Sequence, residues 1–346
     1  MLALFAALTL SAGPPASIVH NVSYADPPGS CDSCPSCTCM DVYPAAAADN
    51  AARPAPYVLF FHGGLWYSGA RTEINEVCRQ VVARSNGTVG CATADYSYSQ
   101  DLPGGSCEKG GAPTFEGQAA QVRAALVALR ARPGVDGGRV LLGGHSAGGH
   151  LAAWLSLNWE NAGKAAAAAA AAVSPAASPA ASPAASPAAS PVASAAAAPP
   201  LAFAGIEGIY NASLWDAYQA VRWKGGFHCA DWQCFGDPGA HWADGWLAGS
   251  PVVQAAAGAA PAGPVLLIHS PQDDYVQSEQ ARALYAALGP PASGHAGTHR
   301  LDVDGACVSG EHPAVLEGGS AATLAQCMLT FLADAEAAKP APRGLL

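Results

Sequence analysis

Charge is scarce in this sequence. Only 12% of its residues are Asp, Glu, Lys or Arg, about half of the roughly 25% usual in soluble proteins, and part of the shortfall is dilution by alanine. The 16 basic and 26 acidic residues form no block of either sign, which argues against nucleic acid as a partner, because phosphate binding needs a clustered basic footprint. Long apolar runs are also missing. Outside an alanine-rich tract no stretch of 18 or more apolar residues occurs, so no membrane span is expected. Residues 1–10 are apolar and are followed by the small residues Ser11, Ala12 and Gly13, with no basic residue ahead of them. That run is too short for a bilayer and reads as a signal-peptide core, with a leader over residues 1–16.

Cysteine, by contrast, is plentiful. Eleven of them suit an oxidising compartment, where most would pair and the odd total would leave one without an intramolecular partner. Three glycosylation sequons begin at Asn21, Asn86 and Asn211. Leader, sequons and cysteines together place the chain in the secretory pathway or outside the cell.

Residues 164–200 are almost wholly Ala, Ser and Pro, with Ser174, Ser178, Ser182, Ser186 and Ser190 each followed by proline. Proline at every fourth position forbids a helix, and Ala and Ser offer little surface to bury, so the tract is expected to be a disordered insertion or a stalk glycosylated on serine. What remains, residues 17–163 and 201–338, suits one large domain. Apolar strand-like runs at residues 57–62, 89–95, 139–143, 202–210, 265–269 and 300–303 alternate with helical patterns near 72–82, 117–130, 147–157, 278–288 and 321–335. Such alternation predicts an α/β fold with a mostly parallel central sheet flanked by helices. Residues 18–24 and 38–43 add a β-hairpin at the N-terminus.

The chemistry lies in two glycine-rich turns. Gly144-His145-Ser146-Ala147-Gly148 follows one strand directly and opens a helix, the setting in which a sharp turn exposes a serine hydroxyl at a helix N-terminus. His62-Gly63-Gly64-Leu65-Trp66 ends another strand, where paired glycines let backbone N–H groups approach a developing oxyanion. The N–H groups of Gly64, Leu65 and Ala147 are the expected donors.

With these turns, residues 57–332 apart from the insertion resemble α/β-hydrolases of the carboxylesterase and hormone-sensitive-lipase-like group, and are similar also to arylformamidase (kynurenine formamidase) and isoprenylcysteine methylesterase enzymes. The resemblance implies Ser146 as nucleophile and an acid in His269-Ser270-Pro271-Gln272-Asp273-Asp274-Tyr275-Val276-Gln277, where the family's spacing selects Asp273 over Asp274. It implies a base in Ser309-Gly310-Glu311-His312, namely His312; His295 and His299 precede the last strand and fit less well. The order Ser146, Asp273, His312 is the one this fold uses. Leu65, Ser270 and Gln277 stand where the family usually has Gly, Gly and Pro. The implied activity is serine hydrolysis of a carboxylic ester through an acyl-enzyme, acting on a small molecule with no metal or organic cofactor. The alternatives are arylformamide hydrolysis and a non-catalytic binding protein on a hydrolase scaffold.

Other residues allow two readings. His62, Gly63, Trp66 and His145 are expected to border the substrate, with His62 shaping the oxyanion loop and His145 and His150 supporting the elbow. Trp215, Trp223, Trp232, Trp242 and Trp246 either wall the site as part of a cap or pack a cap core. Cys31, Cys34, Cys37 and Cys39 have zinc-like spacing, but in an oxidising compartment disulfides are expected, and Cys229 with Cys234 could close a small loop. Composition leaves oligomeric state open.

Overall fold

In a computed structural model of the chain, the described residues are 17–24, 31, 38–46, 53–99, 115–162, 198–224, 246–261, 263–289 and 299–338. Outside them lie the leader, Cys34, Cys37, residues 163–197 of the Ala/Ser/Pro tract, Cys229, Cys234, Trp232, Trp242 and His295.

The strands are β1 (Val19–Ser23), β2 (Cys39–Tyr43), β3 (Ala55–Phe61), β4 (Gly90–Ala94), β5 (Val135–His145), β6 (Ala202–Ile206), β7 (Val265–Ile268) and β8 (Arg300–Asp302). They form one sheet in the order β1-β2-β4-β3-β5-β6-β7-β8. The expected hairpin β1–β2 is antiparallel and joins β4 antiparallel; every pairing from β4 to β8 is parallel. Every residue of β3 is buried, as a strand covered on both faces requires. Its side chains alternate between two cores. Val58 and Phe60 meet α1 (Asn75–Arg84) and α7 (Gly318–Ala338) on one face. Tyr57, Leu59 and Phe61 belong to the core on the other face, with α2 (Phe115–Arg130), α3 (Ala147–Leu157), α5 (Pro251–Ala256) and α6 (Glu279–Leu288). Along α7, Leu324, Met328, Phe331, Leu332 and Ala335 recur at the i, i+4, i+7 spacing of an inward stripe. This is the expected fold class. Two helices add to the elements read from the sequence: α4 (Ala212–Arg222), whose N-cap Asn211 accepts from the Leu214 N–H at 3.1 Å, and α5, with proline at its first position.

Disulfides join Cys31 to Cys39, Cys78 to Cys91 and Cys307 to Cys327. The first ties the hairpin turn to β2, the second α1 to β4, the third the loop after β8 to α7. Among the described residues no helix is long and apolar enough to cross a membrane.

The hairpin is also bolted to the sheet by charge. Arg71, in a 3-10 turn at Arg71–Ile74, reaches Asp41 of β2 with Nε at 3.1 Å and pairs with the Asp95 carboxylate, while its Nη2 donates to Asn21 Oδ1 at 2.5 Å. Both carboxylates are buried, and burial lifts that of Asp95 to about 6 despite the guanidinium beside it. Removing one partner from a buried ionic cluster strands the remaining charge. Arg71→Met is therefore expected to lower unfolding free energy by about 3–5 kcal/mol, measurable by denaturant titration; a loss under about 1 kcal/mol would mean that Asp41 and Asp95 hold themselves without the guanidinium.

Candidate active site

Strands β3, β5, β6, β7 and β8 run parallel, so their C-terminal ends and following loops meet at one edge of the sheet, where open α/β sheets place their sites. His62 and Gly63 follow β3; His145 ends β5 and Ser146 follows it. Glu207 follows β6, Asp273 lies five residues beyond β7, and His312 lies in the loop after β8.

Ser146 takes φ 53° and ψ −121°, a conformation few non-glycine residues hold without strain. It persists because both sides of the turn are fixed: the Ser146 N–H donates to the Ile206 carbonyl at 2.9 Å and its carbonyl accepts from His150 at 3.0 Å. Gly148 lies so close to the end of β3 that a Cβ there would stand 2.3 Å from the His62 carbonyl oxygen. Space around the serine is equally tight, since a Cβ on Gly63 would come within 2.9 Å of the Ser146 Cβ. The glycine loop thus passes directly over the turn at Ser146.

The carbonyls of that loop are turned away from the serine. Tyr96 Oη donates to the carbonyls of His62 and Gly63 at 3.1 and 3.3 Å, and the Gly64 carbonyl accepts from Tyr67 N, Ser68 N and Ser68 Oγ at 2.9–3.1 Å. Leu65 and Trp66 follow with φ 51° and 64°. Among the described residues the N–H groups of Gly64, Leu65 and Ala147 make no hydrogen bond.

Trp66 and His62 support this loop from behind. Both are fully buried, so neither borders open space for a substrate as expected, while His62 does sit where it can shape the loop, the other role expected of it. Trp66 Nε1 donates to His150 Nδ1 at 3.0 Å, and His150 Nε2 bonds the Gly249 carbonyl at 2.7 Å. His62 stacks on Tyr96 with ring centroids 4.4 Å apart. Burial pushes both histidines down to about 4, so each is neutral at ordinary pH. Trp215 and Trp246 are likewise buried in the core.

Across the elbow, His312 Nδ1 lies 2.9 Å from Asp273 Oδ2. The other Asp273 oxygen accepts the backbone N–H groups of Tyr275 and Val276 at 2.8 and 3.1 Å. Asp274 instead faces outward to Arg222 at 2.8 Å, and His299 sits just before β8, at the opposite end of that strand from the His312 loop. A second carboxylate reaches the same ring: Glu207 Oε2 is 3.2 Å from His312 Nδ1 and 3.2 Å from His145 Nε2. His145 Nε2 also donates to the His312 carbonyl at 3.0 Å, and the two imidazoles lie 4.4 Å apart. Burial works against a charged His312, but the hydrogen bonds and charges of Asp273 and Glu207 outweigh it and hold the ring at about 9. His145, buried and facing His312, is lowered. His269, also buried, is lowered too and donates to the Val276 carbonyl at 2.9 Å.

Two family departures have structural work. Ser270 Oγ donates to the Gly310 carbonyl at 2.6 Å, tying the Asp273 loop to the His312 loop, and Gln277 Nε2 donates to the Leu214 carbonyl at 3.0 Å, tying the Asp273 loop to α4. Glu207 is the site residue sequence reading missed; its signal is a lone acid directly after an apolar strand, at the same edge as Ser146. Among the described residues, His145, Glu207 and His312 are the one grouping with metal-ligand side chains, within 4.8 Å of one another. The atoms concerned are already hydrogen-bonded together, which suits a proton network better than a cation seat. A cavity of about 700 Å³ lined by Pro54, Arg84 and Leu329 opens at the other end of the sheet and is no part of this cluster.

Sheet order, serine turn and glycine loop are those of the α/β-hydrolase fold, and the alpha/beta hydrolase fold family model matches residues 58–218. Esterase B from Lactobacillus rhamnosis (HN001) superposes with a TM-score of 0.60 at 17% identity, over 93% of this chain and 86% of that one. A Thermogutta terrifontis esterase, Est2 with propionate bound, gives 0.53 at 20% identity over 96% and 97%. A truncated carbohydrate esterase from gut microbiota gives 0.57 at 14% over 92% and 97%. At these identities the likeness is one of fold. No curated protein matches the chain.

The histidines yield a prediction independent of any activity. In a protein carrying Ser146→Ala, the His312 ring is expected to titrate near pH 9 by NMR while His62 and His150 stay neutral down to about pH 5. A His312 midpoint near the ordinary value of roughly 6.5 would contradict the two-carboxylate geometry.

Proposed function

We propose that the chain is a serine hydrolase that cleaves a carboxylic ester of a small molecule through an acyl-enzyme, with Ser146 as nucleophile, His312 as base and Asp273 as acid. The observation that carries this reading is the convergence of a strained serine, a loop of unspent N–H groups passing over it and an imidazole whose Nδ1 is committed to a buried carboxylate. That commitment leaves Nε2 as the nitrogen for the serine proton. Among the described residues Ser146 Oγ makes no hydrogen bond, and such contacts often tighten only once substrate is bound.

Ser146 Oγ attacks the acyl carbon as its proton passes to His312 Nε2, and the carbonyl electron pair moves to oxygen. The N–H groups of Gly64, Leu65 and Ala147 stabilise that oxyanion, each donor worth about a hundred- to a thousandfold in rate. Collapse breaks the bond to the alcohol, which leaves with the proton from His312. Water then repeats the sequence on the acyl-enzyme, giving the acid and restoring the serine. The steps need no cofactor.

A formamide borne on an aromatic ring is the second reading. It is favoured by Tyr275, 41% exposed, which stacks on His312 with centroids 5.7 Å apart and meets Trp223 at 5.1 Å. The three disulfides among the described residues and the exposed Asn86, in the turn after α1, support a secreted, glycosylated protein.

Ser146→Ala is expected to abolish labelling by a fluorophosphonate probe and lower p-nitrophenyl acetate hydrolysis by about 10⁶. Gly63→Ala, which pushes the loop off the elbow, should lower kcat by about 10²–10³ with the fold intact by circular dichroism. Only the neutral imidazole accepts a proton, so kcat/KM should rise with pH through about 9. Labelling that persists in Ser146→Ala overturns the nucleophile, and a strong preference for N-formylkynurenine over p-nitrophenyl acetate replaces the ester with the formamide.

A further inference from the structure

Glu207 has no part in that proton relay, yet it is the most thoroughly buried acid beside it. It is fully buried and holds φ 50°, a left-handed conformation that strains a side chain of its size. Its N–H is fixed to the Ile268 carbonyl at 2.8 Å. A buried carboxylate is costly unless its charge is paired and its oxygens are satisfied. No lysine or arginine supplies that pairing among the described contacts. Oε1 accepts the Ser270 N–H at 3.2 Å, and Oε2 faces the two histidines at 3.2 Å each. The compensating cation is therefore the ring of His312.

We propose that Glu207 is a second acid of this site, a positioning residue that shares the His312 Nδ1 proton with Asp273 and, through His145 Nε2, locks the two imidazoles together. The proposal rests on the triad reading for its catalytic consequence and on geometry alone for the shared proton. His312 Nδ1 carries one hydrogen and faces Asp273 Oδ2 at 2.9 Å and Glu207 Oε2 at 3.2 Å. The acids come from the ends of different strands, so loss of one leaves the other on the same nitrogen. Among the described residues the other groups facing His312 are His145 at the end of β5, His269 just after β7 and the Tyr275 ring. Burial keeps both of those histidines below the usual range, which leaves two negative charges around one imidazolium.

An ordinary triad loses about 10⁴ in kcat when its acid becomes an amide, because the imidazole takes the wrong tautomer. Here Asp273→Asn is expected to lose only about 10–10², Glu207→Gln about tenfold, and the double variant the full ~10⁴. Removing one of two charges should also bring the rising limb of kcat/KM down by about one pH unit in Glu207→Gln, with Glu207→Asp restoring it.

The test measures p-nitrophenyl acetate hydrolysis from pH 6 to 10 in the full-length wild-type, single and double variants, and His312 titration by NMR in the same set carrying Ser146→Ala. An Asp273→Asn protein as inactive as the double variant, or a limb and His312 midpoint unmoved in Glu207→Gln, overturns the second acid. If even the wild type hydrolyses no ester while the midpoint falls stepwise from wild type to double variant, the shared proton stands and the esterase reading falls. Should Glu207→Gln not fold, Asp273→Asn decides alone: a His312 midpoint still above roughly 6.5 supports the second carboxylate, and one at or below it overturns it.

Discussion

The Nδ1 proton of His312 has to be held inside the protein, because the carboxylates that face it have no access to water. Holding it there constrains much else. Asp273 and Glu207 must arrive from neighbouring strands at one depth, which the parallel register of β6 with β7 provides. The His312 loop must not drift, and three kinds of tie prevent it. The Cys307–Cys327 disulfide anchors it to α7, Ser270 grips the Gly310 carbonyl, and the Asp302 carboxylate accepts the N–H groups of Asp304, Ala306 and Cys307. Without these the ring would exchange its buried partners for solvent.

The other half of the site depends on direction rather than charge. Backbone N–H groups can face Ser146 only if the carbonyls beside them are satisfied elsewhere, since an unpaired buried carbonyl is itself costly. Tyr96 and Ser68 meet that need, and Ser99 N and Gln118 Nε2 do the same for the Trp66 carbonyl at 2.8 Å each. Asp95, beside Tyr96, is the residue that Arg71 holds. The cluster that bolts on the N-terminal hairpin therefore also braces the glycine loop, and loosening one disturbs the other.

Much of this was legible in the sequence because it is local. Apolar runs marked the six strands from β3 to β8, and Gly144–Gly148 with Gly63-Gly64 marked the two turns. The resemblance to the hydrolase family favoured Asp273 over Asp274, and the two do face opposite ways. What stayed hidden depends on partners distant in the chain. Glu207 looks like any acid entering a loop until folding sets it beside residue 312. Arg71 gives no hint that it closes on positions 41 and 95. Trp66 misled, since adjacency to the glycine pair suggests a side chain bordering substrate, whereas the left-handed turn at Leu65 and Trp66 drives the indole inward onto His150. Disulfide pairing was open for the same reason, because only the fold brings Cys78 to Cys91.

Two acids on one imidazole carry a chemical penalty that the rest of the site must offset. An imidazole near 9 is about 1% neutral at pH 7, and if His312 is the base proposed here, the greater basicity of the ring recovers only part of that population. Burial is the largest influence on His312 and acts in the opposite sense, disfavouring the charged form. A substrate seated against the ring and the exposed face of Tyr275 would remove the last solvent from it and strengthen that influence. In the proposed mechanism the bound complex would then hold a more neutral His312 ring, with both carboxylates still fixing its tautomer. On this view the doubled acid fixes the orientation of the ring, and exclusion of water by the substrate readies it to take the proton.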